Sequence, residues 1–326
     1  MKPRFRLLHV LVLLALSVIA LVASAQPKNL PRIAWVLGTG PESRNFVDAI
    51  HAGLADEGLV VGRDVILDMR FAEGRPERYP ELFADLMRTP AQVLAAAGFV
   101  GISAARDASG GRISVAAYFC GNDIKGMVES FAKPGGNISG VSCLSAELAV
   151  KRVQLLRESM PNLRHIGFFY DPRSNKDMEL ADVRAAAAGL GMSVSPVTAS
   201  SPDAIAGAIA SARRDGAEAL LISEDTFTLG NRVAIVSAAA KHRMTTAAAF
   251  REFADAGAVM SYGASNSERI RQQARYAARM IRGARPSDLP VEQPRRFELV
   301  INQRAAQALG VAIPKELLQR ADDVIR

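Results

Sequence analysis

The sequence predicts an α/β protein built from two doubly wound, Rossmann-like lobes. From residue 32 onward, short apolar runs alternate with longer segments that have helical periodicity. A turn-forming cluster at 133–137 interrupts this rhythm, which then begins again. The chain has 326 residues, a length that suggests about two domains. Because strands that alternate with helices pair in parallel, each block predicts a parallel sheet covered by helices.

Five strands are predicted in the first block, each of them a short apolar run. The helix predicted over 43–57 places Phe46 and Ile50 on one apolar face and ends at Gly58. Pro80 delays or kinks the start of the next helix, because proline lacks the amide hydrogen that a helix interior requires. The strands are predicted at 33–37, 65–70, 92–97, 113–118 and 138–141, and the later helices at 77–88, 100–109 and 124–132.

The second block repeats this design, although the two blocks share no recognisable sequence identity. Ser201 and Pro202 predict a helix N-cap followed by proline at the first helical position, and Gly191 and Gly283 each end a long helix. Loops at the carboxyl ends of the strands bind ligands in such lobes, so the cleft between the lobes is the expected site. The strands are predicted at 164–170, 218–223, 245–249, 258–262 and 297–301, and the main helices after 145 and at 176–190, 202–214 and 266–282.

Residues 1–25 have the pattern of a cleavable secretory signal peptide. Arg4 and Arg6 precede an apolar run over 7–22, and an A-x-A motif at 23–25 ends the segment. An uncleaved anchor is the alternative, although the run is shorter than the roughly 20 residues that span a bilayer. We therefore predict export to the periplasm, with no further membrane-spanning segment.

The composition excludes several classes of protein. With 49% hydrophobic and 22% charged residues, the chain is not a disordered protein. Loss of the signal peptide removes three basic residues and no acidic one, so the net charge falls from +7 to +4. Such a mild and scattered charge does not favour nucleic-acid binding. The four histidines lie far apart and there are two cysteines, so no metal site is predicted.

The loop after the first predicted strand is the first candidate ligand contact. Gly38, Thr39 and Gly40 form either a plain tight turn or a loop whose amide groups and hydroxyl meet an anionic ligand group. Ser43 stands where a dinucleotide-binding fingerprint requires glycine, so no nicotinamide cofactor is predicted.

Carboxylates follow two predicted strands of the second block. Asp171 precedes a proline, where it either forms the turn or contacts a ligand. Asp225 and Thr226 stand where a carboxylate caps a helix or receives a ligand ammonium group. Nucleophile-elbow, P-loop and metalloprotease motifs are absent from the sequence, so we predict a binding protein and not an enzyme. Cys120 and Cys143 stand at or beyond strand ends, and the sequence leaves open whether they form a disulfide.

Several segments together resemble one family, the ABC-transporter substrate-binding proteins of the tryptophan/tyrosine-uptake type, which have the type I periplasmic-binding fold. The resemblance runs from about residue 32 to the end of the chain. The segments are FAEGRPER at 71–78, AKPGGNISGVS at 132–142, REF at 251–253, GAVMSYG at 257–263, LPVEQP at 289–294 and FELVIN at 297–302.

The resemblance implies two discontinuous lobes joined by three crossovers. The first lobe would comprise 31–141 plus 264–290, and the second 142–263 plus 291–326. Such a protein is the periplasmic solute-binding component of an ABC importer and has neither catalytic activity nor a cofactor. As a monomer, it would close by a hinge on a small solute, for example an amino acid or a related amine or carboxylate compound. It would then deliver the solute to an inner-membrane permease driven by a separate ATPase. The alternatives are a periplasmic ligand sensor and, less favoured, an enzyme on two Rossmann-like lobes.

The resemblance also implies which loops contact the ligand. Phe99 stands where the family has a small hydroxyl residue, and it could offer a stacking face instead. This difference, with an extra acid in the cleft, predicts a ligand other than the aromatic amino acids, one that carries an amine or a positive charge. The predicted ligand-binding residues are Thr39, Gly40, Gly98, Phe99, Asn122, Asp123, Ser142, Asp171, Asp225, Thr226, Arg251 and Tyr262.

Overall fold

A computed structural model of the chain describes residues 30–120, 124 and 126–326. The predicted signal peptide at 1–25 lies outside the described residues, and so do Asn122 and Asp123. Helices and strands alternate through the described part, as the apolar pattern predicts. None of the described helices is long and apolar enough to cross a membrane.

The first sheet has five parallel strands in the order β2-β1-β3-β4-β5. Strand β1 lies between β2 and β3, and all six of its residues are buried because helices cover both faces of the sheet. Trp35 and Leu37 point to one face, and Ala34 and Val36 point to the other. The elements are β1 (Arg32–Leu37), α1 (Arg44–Asp56), β2 (Ile66–Phe71), α2 (Tyr79–Leu86), β3 (Val93–Ala97), α3 (Gly98–Ser109), β4 (Ser114–Phe119) and β5 (Ile138–Ser142).

The second sheet has seven strands in the order β12-β11-β10-β9-β8-β6-β7, and only the β10–β11 pair among them is antiparallel within the described residues. Its elements in chain order are α4 (Ser145–Ser159), β6 (His165–Tyr170), α5 (Asp177–Ala188), β7 (Ser193–Thr198), α6 (Pro202–Arg214), β8 (Ala219–Ile222), α7 (Thr226–Gly230), α8 (Arg232–Lys241), β9 (Thr245–Ala248), α9 (Arg251–Asp255), β10 (Met260–Gly263), α10 (Asn266–Ile281), β11 (Glu298–Asn302), α11 (Gln303–Leu309), α12 (Lys315–Arg320) and β12 (Asp323–Ile325).

The chain passes between the sheets three times in the described residues. It leaves the first sheet after β5, returns after β10 through α10, and leaves again before β11. Helix α10 packs against α1 and the first sheet. The first and third passages lie side by side, because the Ser142 amide donates to the Glu292 carbonyl at 2.8 Å and the Glu292 amide donates to the Gly140 carbonyl at 3.0 Å. We call the first sheet with α1–α3 and α10 the first lobe, and the rest the second lobe.

Two sheets of mainly parallel strands with helices on their faces confirm the predicted α/β class. The structure differs from the sequence prediction in two places and answers the open question of the cysteines. The second sheet contains two strands that were not expected, β7 and β12. Residues 126–132 form turns instead of a helix, because the amides of Glu129 and Ser130 donate forward to the carbonyls of Pro134 and Lys133 and not to carbonyls four residues earlier. Cys120 and Cys143 are both buried and are not joined by a disulfide.

Candidate ligand-binding site

A cavity of about 50 Å³ lies between the two lobes, at the carboxyl ends of strands from both sheets. The first lobe lines it with the ends of β1, β3 and β4, together with α1 and α10. The second lobe contributes the loop after β8, helix α7 and the residue Phe250 after β9. Strand ends of parallel sheets meet at one edge, which is why residues distant in sequence share this cavity.

Aromatic and aliphatic side chains form most of the cavity wall. Trp35, Phe46, Tyr118, Phe250 and Ile270 all line it, and each is at most 4% exposed. Trp35 belongs to the same face of β1 that packs against α1 and α10. A wall of this kind suits the apolar body of a small organic ligand.

Among the described residues, three buried polar atoms at the cavity have no hydrogen-bond partner: Thr39 Oγ1, the Tyr118 hydroxyl and Asn266 Nδ2. A buried polar group without a partner costs about 1–3 kcal/mol, so these atoms mark a place where a ligand would be stabilised. Burial, with the neighbouring thiols of Cys120 and Cys143, raises the pKa of Tyr118 well above its ordinary value. The Tyr118 hydroxyl therefore stays protonated and can donate.

The second lobe places a buried ion pair beside the cavity. Glu224 lines the cavity and accepts from the Arg152 guanidinium at 2.6 and 3.3 Å, and both side chains are buried. Burial opposes the charge on Arg152, but the neighbouring carboxylates of Glu224 and Glu179 raise its pKa. A second buried pair joins Lys176 to Glu179 at 2.9 Å.

Asp225 combines a structural role with its position at the cavity. It caps α7, since its carboxylate accepts from the Thr228 amide at 2.7 Å, and it accepts from the Ser223 hydroxyl at 3.1 Å. Burial raises the pKa of Asp225. Asp171 lies nearby: its amide donates to Asp225 at 3.3 Å, and its carboxylate binds Arg173. Both acids are thus held by donors of the protein itself.

Contacts between the lobes surround the cavity. The hydroxyls of Tyr79 and Thr226 lie 3.1 Å apart, with one residue from each lobe. Arg173 of the second lobe pairs with Glu77 of the first at 2.8 Å. The side-chain amide of Asn231 donates to the Gly74 carbonyl at 3.2 Å. The two lobes are therefore closed on each other in this structure.

The chain also matches one protein family over most of its length. A family model described as ABC transporter substrate binding protein matches residues 36–325. The chain belongs to this family. The predicted family is thereby confirmed at the level of ABC substrate-binding proteins.

Solved structures share the fold of this substrate-binding protein. An ABC domain from Streptococcus pneumonia, in complex with L-Trp, has a TM-score of 0.82 at 22% identity, with 91% of this chain and 100% of that chain covered. A conserved domain protein from Vibrio cholerae O1 biovar El Tor has a TM-score of 0.83 at 23% identity with the same coverage. A 5-methylthioribose transporter solute-binding protein from Thermotoga lettingae has a TM-score of 0.58 at 16% identity, with 90% and 98% covered. These neighbours confirm the predicted type I periplasmic-binding fold. No curated protein sequence matches the chain.

Four of the residues predicted to bind ligand line the cavity of this substrate-binding protein. Thr39 and Gly98 do so from the first lobe, and Asp225 and Thr226 from the second. Asn122 and Asp123 lie outside the described residues. These four share a position directly after a parallel strand, the feature on which their prediction depended.

The other predicted residues do not line the cavity. Arg251 lies at the sheet edge, where it pairs with Glu298 at 2.9 Å and with Asp323 at 2.5 Å. Tyr262 packs against Phe297, with ring centroids 6.3 Å apart. Ser142 belongs to the first passage between lobes, Asp171 holds Arg173, and Gly40 and Phe99 stand beside the lining without contributing to it.

The sequence prediction missed much of the wall. Trp35, Phe46 and Phe250 carried no recognisable motif, and their apolar character indicates only burial. Asn266 and Gln273 line the cavity from α10. The sequence signal that could have indicated them is the GAS segment at 263–265, at the second passage between the lobes. A helix that starts after this segment has its first residues at the cleft. No cluster of metal-ligating residues is present in the part of the chain that the structure describes.

Proposed function

We propose that the chain is the solute-binding component of an ABC importer, which captures a small organic solute between its lobes and delivers it to an inner-membrane permease driven by a separate ATPase. The observation that supports this proposal is the cavity shared by both lobes, with the unpartnered Thr39 and Asn266 side chains at its wall. Family membership supports the importer role. The signal-peptide pattern at 1–25 supports a periplasmic location, and we take the protein to be a monomer.

The cavity size supports a hinge movement. A cavity of roughly 150 Å³ is needed to hold a benzene ring, about three times the volume found between the closed lobes. Entry of a ring-sized solute therefore requires the lobes to part, with the three passages near 141–142, 263–265 and 289–296 taking up the backbone change. Lobe limits at 31–141 plus 264–290 and 142–263 plus 291–326 are consistent with this movement.

The ligand that we propose is an amino acid or a related amine or carboxylate compound with an apolar body. The aromatic wall around Trp35 and Phe250 favours such a body, and the polar atoms of the wall that lack partners favour a polar head group. The structural neighbours with L-Trp and with 5-methylthioribose are examples of ring-containing ligands in this fold.

The experiment is a thermal-shift screen of the chain from residue 26 against amino acids, organic acids, amines and sugars. A ligand at 100 times its dissociation constant adds about 2.7 kcal/mol to the stability, a clear shift in melting temperature. Titration calorimetry then compares the wild type with Thr39→Val at the cavity and with Thr198→Val on the exposed face of an edge strand. We expect only Thr39→Val to weaken binding. If no compound stabilises the chain, the proposed function is wrong.

A further inference from the structure

The unpartnered polar atoms at the cavity share one property, which is that each can donate a hydrogen bond. Asn266 Nδ2 is an amide nitrogen and can only donate. The Tyr118 hydroxyl stays protonated, and the Thr39 hydroxyl can donate as well as accept. All three side chains belong to the first lobe and line the same small cavity. The first-lobe wall of the cavity therefore offers hydrogen-bond donors to an acceptor on the ligand.

Arg269 lies near the donors but lines a separate groove beside the third passage, together with Glu268 and Glu292. Arg269 lies on the stripe of α10 that also carries Asn266, Ile270 and Gln273, because residues three and four apart share a helix face. It is 6% exposed; its Nη2 atom donates to Gln272, and its Nη1 atom has no hydrogen-bond partner among the described residues. Its acidic neighbour Glu268 pairs with another arginine, and no ion pair of Arg269 is present among the described residues.

Arg269 interacts electrostatically with Tyr118, whose hydroxyl is one of the donors, and also with the carboxylates of Glu268 and Glu292. The free donors of the cavity wall thus favour a ligand group that accepts hydrogen bonds. A carboxylate has two oxygens and can accept all three hydrogen bonds.

Two acids on the opposite wall, Glu224 and Asp225, and one beside it, Asp171, have partners within the protein. Glu224 is paired with Arg152, and Asp171 with Arg173. Asp225 accepts from the Thr228 amide and the Ser223 hydroxyl. A ligand ammonium group placed here would have to compete with these donors, so the cavity does not demand a positive charge.

We propose that the ligand is recognised through a carboxylate on an apolar body, with Thr39, Tyr118 and Asn266 as donors, and that an amine on the ligand is dispensable. The inference rests on the proposed function and narrows its substrate class. It departs from the sequence-based expectation of a cationic or amine-bearing ligand, because the acids of the cleft already have cationic or hydrogen-bonding partners.

The test is calorimetric titration with a matched panel of probes. Phenyl, indolyl and butyl bodies are each presented as the carboxylate, the primary amide, the amine and the α-amino acid. For at least one body, the carboxylate should bind within about tenfold of the amino acid, and the amine about 100-fold more weakly than the carboxylate, as expected from loss of charge-assisted hydrogen bonds. Equal binding of the amine, loss of binding when only the amine is removed, or no binding by any carboxylate would overturn the inference.

A charge-reversing variant tests the donors directly. Asn266→Asp replaces the amide donor with a carboxylate, and it should fold normally because an acid at a helix N-terminus is favourable. We expect it to lose the carboxylate probe by at least about 100-fold. Asn45→Asp, at the exposed second position of α1, is the matched control and should bind as the wild type does.

These experiments distinguish a failure of the carboxylate inference from a failure of the proposed solute-binding function. If a sugar or an amine stabilises the chain in the thermal-shift screen while no carboxylate binds, the carboxylate inference is wrong and the solute-binding function stands. If Asn266→Asp binds the carboxylate probe as tightly as the wild type does, Asn266 is not a donor to it. Unaltered unfolding of both asparagine variants in urea shows that a loss of binding is not a loss of fold.

Discussion

Gly74 and Gly230 touch backbone to backbone across the cleft. A Cβ atom added to Gly74 would stand 2.9 Å from Gly230 Cα, and one added to Gly230 would overlap Gly74 Cα. Gly74 also has a positive φ of 70°, which favours glycine. The neighbouring side-chain amide of Asn231 donates to the Gly74 carbonyl. Neither glycine can carry a side chain while the lobes are closed in this way.

Gly230→Ala should therefore hold the lobes apart. The position is the last residue of α7, where alanine is a better helix former than glycine, so the variant should fold. We expect at least about tenfold weaker ligand binding, equivalent to about 1.4 kcal/mol of lost closure energy. Calorimetry gives the affinity, and small-angle X-ray scattering of the saturated protein shows whether it stays more open.

Gly207→Ala is the matched control for this variant. Gly207 lies in the interior of α6, and nothing stands within 4 Å of the added Cβ atom. It should bind ligand as the wild type does. Wild-type affinity and a wild-type closed radius for Gly230→Ala would show that the glycine contact does not govern closure.

The hydrogen bond between Tyr79 and Thr226 should make a smaller contribution to closure. Tyr79 is fully buried, and burial raises its pKa to about 12, so its hydroxyl remains a neutral donor or acceptor over the working pH range. Tyr79→Phe should weaken ligand binding by about 0.5–1.5 kcal/mol, the net value of one hydrogen bond. A double-mutant cycle with Thr226→Val measures the coupling between the two residues. Strict additivity in that cycle would contradict a hydrogen bond across the lobes.

The fold was predictable because alternation of apolar runs and helical segments is visible in the sequence. Strand β7 was missed because its Pro196 and its serines do not indicate a strand, yet an edge position tolerates proline. The expectation that ligands bind at the carboxyl ends of parallel strands correctly placed Thr39 and Asp225 at the cavity. It could not find Trp35 or Asn266, because their part in the cavity depends on how the lobes close and where the second crossover returns.

The buried Arg152–Glu224 pair predicts a large loss of stability when one partner is neutralised. Glu224→Gln keeps the shape of the side chain but removes the carboxylate that is hydrogen-bonded to Arg152, and it should cost about 3–5 kcal/mol of unfolding free energy. Glu158→Gln is the control, since the Glu158–Arg320 pair is exposed and should be worth at most about 1 kcal/mol. Urea unfolding measures both. A loss in Glu224→Gln no larger than in the control would show that the pair adds little.

Glu252 predicts a decline of stability with rising pH. Burial raises the pKa of Glu252 to about 7 from an ordinary value of 4.5, and its buried Oε2 atom has no hydrogen-bond partner in the described part of the chain. The folded chain therefore holds this proton more tightly than the unfolded chain. Its contribution to stability is greatest below pH 4.5 and is lost as the pH rises to about 7, by up to roughly 3 kcal/mol.

Glu252→Gln should remove this decline, because glutamine cannot ionise. We expect the variant to match the wild type in urea unfolding at pH 5 and to exceed it at pH 8. Glu81→Gln, on the exposed face of α2, should follow the wild-type curve at both pH values. If Glu252→Gln loses stability with pH as steeply as the wild type does, another group carries the titration, because the sign of the effect at Glu252 is fixed by the direction of its pKa shift.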